Sequence, residues 1–112
     1  MPGTGDAFIK TGPASALDMF EAEAEGLREL AAARAIRVPD VIDCGIDDGG
    51  AFIAIERLRF ERPTAATETA LGEQLAALHG HSKDRYGWHR DNTIGPTPQQ
   101  NPWTEDWVSF FR

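Results

Sequence analysis

The chain has 112 residues, with 11 Lys+Arg against 18 Asp+Glu, a net charge of −7, and 41% hydrophobic and 26% charged residues. A chain this short makes one small domain and buries roughly two-thirds of its unfolded surface, and its scattered cations exclude the clustered basic face of a nucleic-acid binder. The start MPGTGDAFIK lacks a basic region before a long apolar stretch, and no apolar run approaches a membrane span. Cys44, the single cysteine, cannot close an intramolecular disulfide and suits a reducing cytosol. A soluble, cytoplasmic protein is expected.

In chain order, Ala7–Lys10 is an apolar run ending in a lysine and reads as a strand. Gly12 and Pro13 break it. Ser15, followed three residues later by Asp18, has the form of a capping box. From Leu17 the apolar residues Phe20, Ala24, Leu27, Leu30 and Ala31 recur at helical spacing, with Glu21, Glu25, Arg28 and Glu29 opposite them. This predicts an amphipathic helix to about Ala33. Pro39 sets an extended start for Val38–Gly45, and Asp47-Asp48-Gly49-Gly50 offers a tight turn into a partner strand, Ala51–Phe60. Glu61–Thr67 reads as a linker and Glu68–His79 as a second helix, stopped by Gly80. Ser82–Gln100 is a long aromatic loop, and loops of that length are usually functional or disordered. Asn101-Pro102 has the form of an N-cap and first helical residue, opening a final helix that runs to Arg112. The order is α+β.

Chemistry concentrates in one pair. Lys10 ends a strand and Glu23 lies on the next helix. In kinases a strand lysine neutralises the phosphates of ATP and a helix glutamate holds it. The competing reading is a solvated lysine near an acidic helix. The stretch MFEAEAEGLREL followed by RVPDVIDCG resembles the fructosamine kinases of the aminoglycoside-phosphotransferase-like superfamily. So do LGEQLAALHGH and, most particularly, YGWHRDNTIGPTPQQNPWTEDWVSFF. The resemblance runs from about Phe8 to Arg112.

That resemblance implies a protein-kinase-like N-terminal lobe, antiparallel strands plus one long helix, followed by the first helices of a truncated C-terminal lobe. Residues 1–60 would be the partial N-lobe, 61–67 the hinge and 68–112 the start of the C-lobe. Lys10 would contact ATP phosphates and Glu23 would orient it. Ile55 would back the adenine pocket, and the backbone of Glu56 and Leu58 would hydrogen-bond the adenine edge. Plain strand core is the rival reading of Ile55. In and after the aromatic loop Trp88, Asp91, Asn92, Gln99, Asn101, Trp103, Asp106 and Trp107 are candidates for shaping a sugar-binding cleft, against turn chemistry for Asp91 and Asn92. Trp103, Trp107, Phe110 and Phe111 read as the apolar face of a helix. His79, His81 and His89 lack convergent metal-site spacing, so no metal ligand is assigned.

The resemblance also implies what these residues lack. Only Gly3-Thr4-Gly5 precedes the lysine strand, too little for a glycine-rich hairpin, and no HGD-like catalytic string occurs. The expectation is a fragment of an ATP- and Mg²⁺-dependent kinase that phosphorylates the sugar hydroxyl of ketoamine adducts on glycated amines or proteins, a deglycation step. By itself the fragment is expected to be inactive. The alternatives are a non-catalytic nucleotide- or partner-binding remnant of a kinase lobe, or a related small-molecule kinase.

Overall fold

A computed structural model describes residues 6–111; Gly3-Thr4-Gly5 and Arg112 lie outside the described residues. Two compact units divide at His81/Ser82.

In the first unit, β1 (Ala7–Gly12), β2 (Val41–Asp47) and β3 (Gly50–Glu56) form an antiparallel sheet in the order β1-β3-β2. The helix α1 (Leu17–Ala32) packs on it. Its Phe20 and Ala24 meet Ala51 and Ile53 of β3, and Ile53 is fully buried. These four residues make a small core, with Leu17, Val41, Cys44 and Ile55 packed at its edge. A one-residue irregularity between Val41 and Asp43 interrupts the β2–β3 register.

The predicted capping box of α1 is not formed. Pro13–Ala16 closes a 3₁₀ turn through an Ala16 N–H donating to Pro13 O at 2.8 Å, and the N-cap is Ala16, without a side-chain cap. Ser15 is already within that turn and cannot take the extended geometry an N-cap needs. The second helix, α2 (Ala65–His79), starts earlier than predicted. Thr64 Oγ1 accepts from the Thr67 N–H while Thr67 Oγ1 accepts from the Thr64 N–H. The Thr67 hydroxyl thus does what a glutamate at that position usually does. Strand β2 begins three residues later than predicted, after Pro39 and Asp40, and β3 ends at Glu56 rather than Phe60.

The second unit holds a small hairpin, β4 (Asn92–Ile94) and β5 (Thr97–Gln99), inside the predicted loop. The final helix is only α3 (Trp107–Phe111). Asn101 does not cap it. Asp106 does, its carboxylate accepting from the Ser109 N–H and hydroxyl. Those bonds hold the Asp106 carboxyl below its ordinary value, the hydroxyl contributing most. Trp107, Phe110 and Phe111 cluster with Tyr86, whereas Trp103 precedes the helix and lies under the Arg85 guanidinium.

The β2–β3 turn rests on Gly50, whose φ is +118°. A Cβ there would lie 2.4 Å from Gly12 O. Strain and clash act together, so Gly50→Ala should cost at least about 2 kcal/mol of stability. Chemical denaturation measures this. A loss below about 0.5 kcal/mol, the scale of an ordinary surface change, would contradict the packing described.

Candidate functional site

Antiparallel partners project to the same side of a sheet. Lys10 is the partner of Ile53 across β1 and β3, and Ile53 points into the core beneath α1. Lys10 therefore emerges on the helix side, at the sheet's edge strand. Glu23 is one turn from Phe20 and next to Ala24, at the rim of the face that α1 buries. The Lys10 ammonium donates to Glu23 Oε1 at 2.7 Å. The two side chains are 43% and 35% exposed. A pair so wetted contributes modestly to stability, but its geometry is well defined. Glu23 Oε2 is buried and accepts no hydrogen bond among the described residues. The ammonium has three donors and one is given to Glu23. A point charge with spare donors, held by a carboxylate on a packed helix, suits phosphate oxygens.

The other predicted nucleotide residues follow along β3. Ile55 is half-buried and packs against the core from the same face as Lys10, being the partner of Phe8. Both readings of it, core and pocket wall, are compatible with this position. The Glu56 N–H donates to Asp40 O at 2.8 Å and the Arg57 N–H to Asp6 O at 2.7 Å. The Arg57 guanidinium lies 5.6 Å over the Phe8 ring. Where the chain leaves the sheet, Asp6, Arg37, Glu56, Leu58, Phe60 and Leu71 line an open cavity of about 830 Å³. Cys44 sits on β2 beside the core. Burial pushes its thiol above the ordinary value, with the nearby Glu21 carboxylate adding to the effect.

In the second unit, the candidates Asp91, Asn92 and Gln99 converge on Asn101, which is 3% exposed. Its Nδ2 donates to Arg90 O and to Asn92 Oδ1, and its Oδ1 accepts from Gln99 Nε2 at 2.8 Å. Its backbone N–H donates to Asp91 Oδ1, and its carbonyl accepts from the Trp88 N–H. Asn101 thus ties together the three polar candidates and the backbone of Trp88. Trp88 itself is half-buried and touches the His89 ring, with centroids 4.6 Å apart. Sequence reasoning named Asn101 but not its part as the hub, because partners 9 to 11 positions away leave no local periodicity. It missed Arg37 altogether. Among the described residues, no three His, Cys, Asp or Glu side chains are grouped to hold a metal ion.

A strand lysine paired with a helix glutamate over a three-stranded antiparallel sheet is the nucleotide-lobe arrangement of a protein-kinase-like phosphotransferase. The fructosamine kinase family model matches residues 2–112, and the chain belongs to that family. It is 44% identical over 105 residues to the probable ketoamine kinase of Synechocystis, covering 93% of this chain and 36% of that protein. It is 41% identical over 110 residues to the chloroplastic protein-ribulosamine 3-kinase of Oryza sativa subsp. indica, covering 96% of this chain and 32% of that protein. Among solved structures, the "Putative fructosamine-3-kinase from Haemophilus somnus 129PT" superposes with a TM-score of 0.87 at 35% identity, over 94% of this chain and 36% of that one. The chain spans about a third of the length of the curated relatives it matches.

Asn101 offers a direct check on the second unit. Asn101→Ala strands the Gln99 and Asn92 amides and should cost about 2–3 kcal/mol. Asn101→Asp should be worse, because it faces a new oxygen toward Arg90 O and Asn92 Oδ1. Thermal unfolding followed by tryptophan fluorescence reads the order. Equal stability of Asn101→Asp and wild type would contradict the hub.

Proposed function

We propose that these residues are the nucleotide-anchoring part of an ATP-dependent ketoamine kinase, one that phosphorylates the sugar hydroxyl of glycated amines or proteins. The observation that carries the reading is the 2.7 Å Lys10–Glu23 pair on strand and helix, in a chain of the fructosamine kinase family. The ketoamine and ribulosamine names of its relatives support the substrate class.

When bound, ATP would supply the phosphoryl group and Mg²⁺ the positive charge that offsets its phosphates. Lys10 holds the phosphates by its spare N–H donors, and Glu23 keeps the ammonium aimed. Ile55 walls the adenine. Because the Glu56 N–H is committed to Asp40, recognition at Glu56 falls to its carbonyl, and at Leu58 to its backbone. Trp88, Asp91, Asn92 and Gln99 contribute to the sugar side through the surface that Asn101 organises. Mg²⁺ enters through the family, and no described residue is assigned to it. No residue here is assigned as the base for the acceptor hydroxyl, so the 112 residues alone bind nucleotide without turnover. A cytoplasmic setting suits the free Cys44, and no described helix is long and apolar enough to cross a membrane.

Titration calorimetry with Mg·ATP tests the anchor. Lys10→Ala should weaken binding by about tenfold or more, the loss expected when a charge-assisted phosphate contact is removed. Incubating the chain with Mg·ATP and a fructosamine should give no product 80 Da heavier, the mass of an added HPO₃. ATP affinity unchanged in Lys10→Ala, or a phosphorylated product from wild type, would overturn the respective half of the reading.

A further inference from the structure

We infer that Arg37 is a positioning residue for nucleotide binding, acting through Glu56; this rests on the nucleotide reading above and deepens it. Glu56 closes β3 at the point where the chain leaves the sheet. Its side chain projects opposite to that of Ile55, toward the 33–40 segment that joins α1 to β2. There both carboxylate oxygens are engaged. Oε2 accepts from Arg37 Nη2 and Oε1 accepts from the Asp40 N–H at 3.2 Å. The Glu56 N–H returns a bond to Asp40 O at 2.8 Å. One residue is thus fastened three times to the segment that carries α1, and with it Glu23, into β2.

An exposed ion pair is weak by itself; Arg37 is 67% exposed and Glu56 30%. This pair is not by itself, because the two reciprocal Asp40 bonds already fix Glu56, and the guanidinium only has to hold a carboxylate already in place. The clamp sets where β3 stops and the backbone of Glu56 to Leu58 begins its course past the cavity. Adenine recognition by backbone groups tolerates little displacement, because N–H···O bonds hold only over donor–acceptor distances of about 2.7–3.2 Å. Arg37 pairs with Glu56 whereas Lys10 pairs with Glu23, so the effect of Arg37 falls on the base.

The test compares adenosine with Mg·ATP, titrated into the full 112-residue chain and its variants by calorimetry. Arg37→Ala should weaken both ligands by the same factor, about three- to tenfold for one charge-assisted contact. Lys10→Ala should weaken only Mg·ATP. Glu56→Gln keeps an acceptor for the Asp40 N–H and removes the ion pair. Adding Arg37→Ala to it should change affinity by less than twofold, since the two act through one contact. Arg37→Lys, which keeps the charge, should restore part of the loss. Thermal melts identify folded variants, and the Glu56→Gln background serves if Arg37→Ala alone unfolds. Adenosine affinity unchanged in folded Arg37→Ala, or additive losses in the double variant, overturns this inference and leaves the nucleotide reading intact. A wild type that binds neither ligand overturns both.

Discussion

The first unit depends on the burial of Ile53. It is the fully buried large side chain at the centre of the three-stranded sheet, under Phe20 and Ala24 of α1. Fixing Ile53 beneath the helix fixes its register partner Lys10 on the same side. It also fixes how α1 sits over the sheet, and so where Glu23 lies at the rim of that contact. The apolar contact sets the geometry and the ion pair inherits it. That ordering matches the magnitudes. Burying an isoleucine is worth about 2–3 kcal/mol, whereas a half-exposed ion pair is worth roughly 1 kcal/mol or less. Lys10–Glu23 is therefore a poor staple, and a buried carboxylate oxygen left without a donor among the described residues is a poor stability device as well. The arrangement makes sense as a held charge.

Polar groups do the positioning elsewhere. In the first unit, Glu56 joins the end of β3 to the segment before β2 through Arg37 and Asp40. In the second unit the apolar residues are largely exposed, with Trp107 at 49% and Phe111 at 75%. The order of that unit comes from Asn101, whose amide and backbone groups are all engaged. Asp91, Asn92 and Gln99 each spend a side-chain atom on this hub. Any sugar recognition they provide must use the atoms that remain, and their placement is set by Asn101.

What was legible in the sequence was local or periodic. The amphipathic stripe of α1 runs nearly as its spacing predicts, and Asp48-Gly49 forms the turn between β2 and β3. Lys10 and Glu23 were legible as a pair through the family resemblance; spacing alone would have left them a solvated lysine and an acidic helix. The failures have physical causes. Ser15 fell inside a 3₁₀ turn, and α2, capped by Thr64 and Thr67, begins three residues before the expected Glu68. Asn101-Pro102 mimicked a helix start, but the buried Asn101 amide had three partners to satisfy, and the cap passed to Asp106. Arg37 gave no signal, because its partner is 19 residues away in another element. Pairings of that kind are decided by tertiary packing and not by propensity.

The most direct test of the central claim observes the Lys10 ammonium itself. Lys10 and Lys83 are the chain's lysines, so lysine-selective ¹⁵N labelling with a Lys83→Arg variant for assignment resolves the Lys10 Nζ signal by NMR. Titration with Mg·ATP should shift that signal strongly, while adenosine, which has the base and no phosphates, should leave it in place. A Lys10 signal unmoved by saturating Mg·ATP, or moved equally by adenosine, would contradict a phosphate-holding lysine.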